Sequence, residues 1–368
     1  MNVDGILFSG VDVAKVAVYT IALNEEKHVE RWYNSIKDAD YILIADTGST
    51  DKTVEIAKGL GINVVNILIK PFRFDTSRNA ALAALPADID YCISLDMDEV
   101  LTEGWRQDIE TLPVLEQNQS AIMRSTLTWN FKEDGTPGLQ YGADRVHSRW
   151  GVLWRQPAHE IISTYGDYEE KRGWVGFGIY HLADATKSRG QYMAMLKMAT
   201  QESPYSDRNA FYYARELYFY GLYAEAAKEF KRHLELPTAV WKPERAAALR
   251  YLSICEPESA ETHLVKAVAT DPSRREPKVA LAQEFYKKQD WANCYKWATS
   301  ALEIETKPLD YMCEEFAWDH TPWDLAALGA YNLGKFEEAL KYGSKAVELT
   351  PSDQRLVVNL AYYSSALS

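Results

Sequence analysis

The strongest constraint in this sequence lies in its first hundred residues, where short apolar runs rich in β-branched residues alternate with segments of helical periodicity. Residues 16–22, 41–45, 62–67 and 91–95 read as strands. Helical patterns fill 25–36, the stretch that stops near Gly59 and Gly61, and a third segment from a cap at Asp75 or Thr76 to about Leu85. Strands alternating with helices of this length predict βαβ units and a mostly parallel sheet. Ligands of such sheets bind beyond the carboxyl ends of the strands. Asp46 and Asp96 both fall at such ends.

From about residue 205 the texture changes to helical segments rich in alanine and aromatic residues. A repeat runs through them. Gly221-Leu222-Tyr223-Ala224-Glu225-Ala226 resembles Gly334-Lys335-Phe336-Glu337-Glu338-Ala339, and Asp290-Trp291-Ala292-Asn293-Cys294 fits the same frame. Ala226, Ala260 and Cys294 are spaced 34 residues apart, and Ala267, Ala301 and Ala346 follow their own markers by seven. Pro272 and Pro351 sit at the turn into the next unit. Small residues are needed where helices cross closely, so each unit reads as a helical hairpin, and the array resembles tetratricopeptide repeats. The step from Cys294 to Ala339 is 45, which implies an 11-residue insertion within 305–324. Three full repeats, a weaker one over 250–272 and a capping helix over 353–366 are expected.

The chemistry is carried by Asp96-Met97-Asp98-Glu99 after the fourth strand. An acid-x-acid triplet alone says little, because 53 acidic residues in 368 yield about eight such triplets by chance. Position supplies the specificity. Two carboxylates just past a strand, at the edge where ligands bind, suit a hard divalent cation such as Mn²⁺ or Mg²⁺.

With this motif the N-terminal half resembles the family 2 glycosyltransferases of GT-A fold. The matching pieces are Thr20-Ile21-Ala22-Leu23-Asn24-Glu25, Ala45-Asp46-Thr47-Gly48-Ser49-Thr50-Asp51, Arg78-Asn79-Ala80-Ala81 and Leu95-Asp96-Met97-Asp98-Glu99. The likeness continues through Pro157-Ala158-His159-Glu160 and residues 180–189, and the chain looks like the branch of bacterial and phage transferases that carry C-terminal tetratricopeptide repeats. It implies a GT-A domain, Rossmann-like with a mostly parallel sheet, over 1–204, and an all-α repeat domain over 205–368.

The resemblance also implies roles. Ile21 and Leu23 line the nucleobase cleft, and Asp46 hydrogen-bonds the base or ribose. Arg78 contacts the diphosphate. Asp96 and Asp98 are the metal-binding pair, Asp98 the more direct ligand, with His181 completing the metal shell. Glu25, Met97 and Glu99 belong to the donor site, and Lys187 and Arg189 clamp phosphates. Glu160 is the expected general base, with Glu99 and His159 as alternatives. The implied reaction is a metal-dependent, inverting transfer of a hexose from a nucleotide sugar, with UDP favoured because Asp46 resembles a uracil-binding acid. The acceptor is a hydroxyl of a protein or glycan. Each residue also has a plainer reading: Asp46 as a turn cap, Arg78 as a helix charge, His181 as a core histidine, Glu160 in an ion pair with Arg145 or Arg149.

Other classes fit less well. Forty basic against 53 acidic residues leave a net charge of -13, which repels a phosphate backbone and argues against general nucleic-acid binding. No apolar run approaches the roughly 20 residues of a membrane helix. The first residues lack a secretory pattern, and the four cysteines form no CxxC, so a cytoplasmic protein is expected. A sugar-nucleotide pyrophosphorylase would need a glycine-rich basic loop where Ala22-Leu23-Asn24-Glu25-Glu26 stands. A repeat-based interaction scaffold with an inactive transferase domain is the main alternative. For residues 309–324, with Tyr311, Phe316, Trp318 and Trp323 among acids, three readings stand: an acceptor ridge, a contact making a homo-oligomer through the repeats, or an amphipathic helix packed on its neighbours.

Overall fold

The computed structural model describes residues 14–132, 134–183, 190 and 192–367. Lys187 and Arg189 lie outside the described residues. The chain divides after Lys187 into two compact units.

In the first unit β1 (Val16–Ala22), α1 (Val29–Ile36), β2 (Tyr41–Asp46), α2 (Thr53–Gly59), β3 (Asn63–Asn66), α3 (Phe74–Ala83) and β4 (Tyr91–Ser94) follow the expected alternation. They are succeeded by β5 (Glu99–Leu101), α4 (Trp105–Ile109), β6 (Gln119–Thr128), β7 (Gln140–Ser148), β8 (Val152–Arg155), β9 (Ile161–Thr164) and β10 (Glu169–His181). The main sheet is mixed, in the order β3-β2-β1-β4-β7-β6-β10-β5, and β8 pairs with β9 apart from it. The first four strands in that order are mutually parallel. β7 then runs antiparallel to both β4 and β6. The carboxyl ends of β1, β2 and β4 therefore share one edge.

Strand alternation divides the core into two layers. Val16 and Val18 of β1 join Trp32, Ile36, Ile93 and Leu95 on one face. Ala17 and Tyr19 join Leu43, Leu82, Cys92 and Trp154 on the other. Helix α3 starts one residue before the expected cap. Asp75, rather than capping it, accepts from the Arg73 side chain at 3.0 and 2.9 Å. At the far end Arg149 donates to the carbonyls of Pro86 (3.0 Å) and Leu85 (2.9 Å), satisfying acceptors that follow α3.

The second unit is helical: α5 (Tyr192–Glu202), α6 (Asp207–Phe219), α7 (Tyr223–Glu235), α8 (Lys242–Cys255), α9 (Ala260–Thr270), α10 (Arg275–Lys287), α11 (Trp291–Leu302), α12 (Thr321–Asn332), α13 (Phe336–Leu349) and α14 (Gln354–Ser365). The expected boundary at residue 204 falls too late. α5 belongs with the helices, where its Ala199 carbonyl accepts from Asn209. α6–α7, α8–α9, α10–α11 and α12–α13 form four consecutive hairpins, so the weak repeat is a full one. Ala226, Ala260, Cys294 and Ala339 are all buried near the start of the second helix of each pair, as close crossing requires. Two residues before the second helix begins, Gly221, Gln289 and Gly334 take the left-handed backbone. Gln289 is the costly member of that set. The insertion spans 303–320 and is mostly irregular, with a single 3-10 turn at Glu315–Ala317. Of the three readings open for 309–324, the amphipathic helix does not form before α12. All four cysteines are free thiols. Among the described residues, no helix is long and apolar enough to cross a membrane.

Candidate active site

Five charged side chains from four parts of the first unit converge at the carboxyl end of β4. Arg78, carried by α3, is only 2% exposed. Its Nη1 donates to Ser94 Oγ at 2.9 Å, its Nη2 to Asp96 Oδ1 at 2.6 Å, and its Nε to Glu160 Oε1 at 2.6 Å. Arg145, on β7, reaches the other oxygen of Asp96 at 2.9 Å and Glu99 Oε1 at 2.7 Å. Glu99 Oε2 accepts from the Asp96 amide at 2.9 Å. Asp96 is thus held between two guanidiniums. Burial alone would raise its pKa, but Arg78 and Arg145 overcome that and hold the carboxyl well below the usual range. Glu99 goes the other way, because its deeper burial outweighs Arg145 and the charge of Asp96 opposes its ionisation.

A second layer fixes Arg78 from below. Its guanidinium lies over the Trp154 ring, 5.2 Å from the centroid. Trp154 is pinned by Asn79, whose amide group both donates to its carbonyl at 2.8 Å and accepts from its amide at 2.9 Å. Trp154 Nε1 donates to Tyr19 Oη at 2.7 Å, and the Tyr19 hydroxyl in turn donates to His147 Nε2 at 2.9 Å. His147 Nδ1 donates to the Ser148 carbonyl at 2.8 Å, which sets the neutral tautomer. Burial pushes the His147 pKa down to about 4.

Beside this network stand Asp98 and His181. β10 pairs antiparallel with β5 so that His181 lies opposite Glu99, and the Leu182 amide donates to the Asp98 carbonyl at 2.7 Å. This pairing brings His181 Nε2 to 3.7 Å from Asp98 Oδ2. His181 Nδ1 donates to the Trp129 carbonyl at 3.0 Å, and its ring stacks on that of Trp129 at 4.0 Å. With Nδ1 committed as the donor, neutral His181 turns the Nε2 lone pair toward a carboxylate. Two acceptors facing each other call for a proton or a cation between them. Burial alone would lower the His181 pKa, but Asp98 and the Trp129 carbonyl raise it. The pair suits a divalent cation by the chemistry of its donors.

Several expected roles change. Asp96 is committed to arginines rather than to a metal shell, and among the described residues no three His, Cys, Asp or Glu side chains cluster to hold an ion. Arg78 is buried with all three nitrogens on protein oxygens, so it positions other groups instead of contacting a diphosphate. Its partner explains Glu160, whose ion pair is with Arg78 and not with Arg145 or Arg149. Met97 is 2% exposed and packs in the core with Leu95 and Val16. The alternation past β4 sends it inward while its acidic neighbours face the cleft. Glu99, 1% exposed, holds Arg145 and the Asp96 amide and does not reach a substrate as a base. Asp46 is buried and closes its own turn, accepting from the amides of Gly48 (3.1 Å) and Ser49 (3.1 and 3.3 Å). Leu23 is exposed at the end of β1, and Ile21 half-buried behind it. Glu25 is buried, its amide donating to Thr53 Oγ1 at 2.7 Å.

The reading of motifs gave no site role of their own to Arg145, Asn24 or Trp154. Asn24, in the left-handed region at φ 56°, accepts from the Thr50 amide at 2.7 Å and so ties the ends of β1 and β2 together. No spacing flags Arg145. Only the β4–β7 pairing places it above Asp96.

Residues 17–128 match the family model described as glycosyl transferase family 2. This segment is a family 2 glycosyltransferase domain. An uncharacterized glycosyltransferase of Rickettsia bellii is 34% identical over 110 residues, covering 30% of this chain and 36% of that protein. A tetratricopeptide-repeat-containing protein of Synechococcus elongatus is 33% identical over 158 residues, covering 42% of this chain and 37% of its own length. The chain spans about a third of the length of the curated relatives it matches. Solved structures similar to it include Pseudomonas aeruginosa PilF (14% identity, TM-score 0.37, 47% of this chain and 72% of that one). Another is YrrB, a tetratricopeptide-repeat protein (14% identity, TM-score 0.35, 47% and 83%).

Proposed function

We propose that this chain transfers a hexose from a nucleoside diphosphate sugar, with UDP favoured, to a hydroxyl of a protein or glycan, inverting the anomeric centre. The observation that carries this reading is the carboxylate–guanidinium network at the carboxyl end of the parallel strands, within and beside a family 2 domain. Glu160 is the general base. Arg78 holds its Oε1, and among the described residues no side chain donates to its Oε2. That oxygen takes the proton of the acceptor hydroxyl. The acceptor oxygen then bonds to the anomeric carbon as the bond from that carbon to the β-phosphate oxygen breaks. The electron pair leaves with the diphosphate. Arg145 Nε and Nη1 have no acceptor among the described residues, and they donate to the departing diphosphate. Asp98 and His181 would hold Mn²⁺ or Mg²⁺, which when bound supplies further positive charge to that leaving group.

The test is a panel of nucleotide sugars incubated with the purified chain, with Mn²⁺ or with EDTA, while released nucleotide is measured. One donor is expected to turn over. Glu160→Gln should lower that turnover by about 10²-fold or more while nucleotide affinity stays within about twofold. Near-normal turnover removes Glu160 from the base role. A chain that neither binds nor turns over any nucleotide sugar is the interaction scaffold instead.

A further inference from the structure

The loop that carries Glu160 is both clamped and strained. Residues 156–160 join β8 to β9 in a hairpin whose last pair is Arg155 with Ile161. Helix α3 holds this stretch at three points. The Asn79 amide group takes both backbone groups of Trp154, at 2.8 and 2.9 Å. The Phe74 amide, which opens α3 and has no acceptor inside the helix, donates to the Pro157 carbonyl at 3.0 Å. One turn further on, Arg78 Nε donates to Glu160 Oε1 at 2.6 Å. The anchored residues 154, 157 and 160 therefore follow one another at intervals of three, and Pro157 and Ala158 are buried.

Gln156 and His159 each stand directly before an anchor, and their φ angles are 81° and 50°. In this left-handed region a Cβ crowds the following carbonyl oxygen, and glycine is the usual occupant. Gln156 is restricted a second time, because a residue before proline favours extended backbone with negative φ. Four non-glycine residues have positive φ among the described residues, and two of them fall in these five positions. Glycine would take such angles at no cost, but it would take others as readily. A residue with a side chain stays there only where its surroundings over-determine it, and here the anchors on either side do so.

We infer that Gln156 and His159 are positioning residues, whose left-handed backbone delivers the Glu160 carboxylate to Arg78. His159 then acts through its conformation and is not itself the base. The consequence for turnover rests on Glu160 being the base, as proposed above; the placement of Glu160 does not.

Asparagine and valine at each position test this in the full chain. Asparagine tolerates the left-handed region, whereas a β-branched residue does not. The first readout is solvent exchange of the Arg78 Nε proton, followed by NMR on protein carrying isotope-labelled arginine. Gln156→Val and His159→Val are expected to speed that exchange about tenfold or more, and asparagine to restore it to within about threefold of wild type. The second readout is turnover. The valine variants should lose about tenfold or more in kcat with UDP affinity within about twofold, and asparagine should recover kcat. Slow exchange in both folded valine variants overturns the inference. So does loss of turnover in His159→Asn with the Arg78 proton still protected, because the imidazole itself then acts. If a valine variant does not fold, alanine replaces it, with exchange at least about threefold faster expected and unchanged exchange refuting the proposal. A wild-type chain that turns over no nucleotide sugar removes the transferase reading alone, and the exchange rates still decide how Glu160 is placed.

Discussion

Replacing Arg78 by methionine tests whether the network holds the first unit together. Methionine keeps most of the apolar stem over Trp154 and removes the guanidinium. Three hydrogen bonds to Ser94, Asp96 and Glu160 are lost, at 2.9, 2.6 and 2.6 Å. Removing one partner of a buried pair costs about 3–5 kcal/mol, because the other charge stays behind unpaired. Asp96 is not orphaned, since Arg145 still holds its second oxygen at 2.9 Å. Glu160 loses its arginine, but its side chain is 12% exposed and recovers some hydration. The lower end, about 3 kcal/mol, is therefore expected. Adding Glu160→Gln should restore about 1–2 kcal/mol by removing the stranded charge. Urea unfolding followed by tryptophan fluorescence reads both, since six of the eleven tryptophans lie in the first unit. A single-variant loss under about 1 kcal/mol, or strict additivity in the double variant, would refute the reasoning.

Three further outcomes follow. Asp98→Ala should weaken UDP binding in Mn²⁺ by about tenfold or more in calorimetry; unchanged affinity excludes Asp98 as a metal ligand. His147 is neutral in the fold, its pKa down at about 4 against 6.5 ordinarily, so the unfolded chain binds the proton first. Its contribution should fall away as pH drops from about 6.5 to about 4, by about 3 kcal/mol in all, and His147→Phe should lack that part of the pH dependence in unfolding free energies. Gly329→Ala in α12 gains about 1 kcal/mol of helix propensity, but the new Cβ meets the Tyr295 backbone nitrogen and Cα at 2.9 Å. Overpacking against backbone, about 1–3 kcal/mol or more, should win; a variant more stable than wild type in thermal melts shows that α11 and α12 shift apart freely.

Much of the architecture was legible because it is written in local periodicity. β1 occupies the predicted 16–22, and the small residues 34 apart sit where hairpins cross. In the first hairpin the slot held elsewhere by Ala267 and Ala301 is filled by His233, which a pattern of small residues passes over. The motif at 96–98 was found at the correct strand end, yet the motif did not say that Met97 points into the core or that Asp96 serves two arginines.

What the sequence determined alone is the succession of strands and helices, the edge at which chemistry gathers, and the class of domain. These depend on neighbours within a turn or a strand's length. Which carboxylate meets which guanidinium depended on residues 49 and 82 positions apart along the chain. The same holds for the insertion, for which a helix was one of three open readings, and whose Glu314 and Asp310 pair with Arg250 and Arg274 in the fold. Charge pairing acts over a few ångströms of space and ignores separation along the chain, so only the folded molecule could settle it.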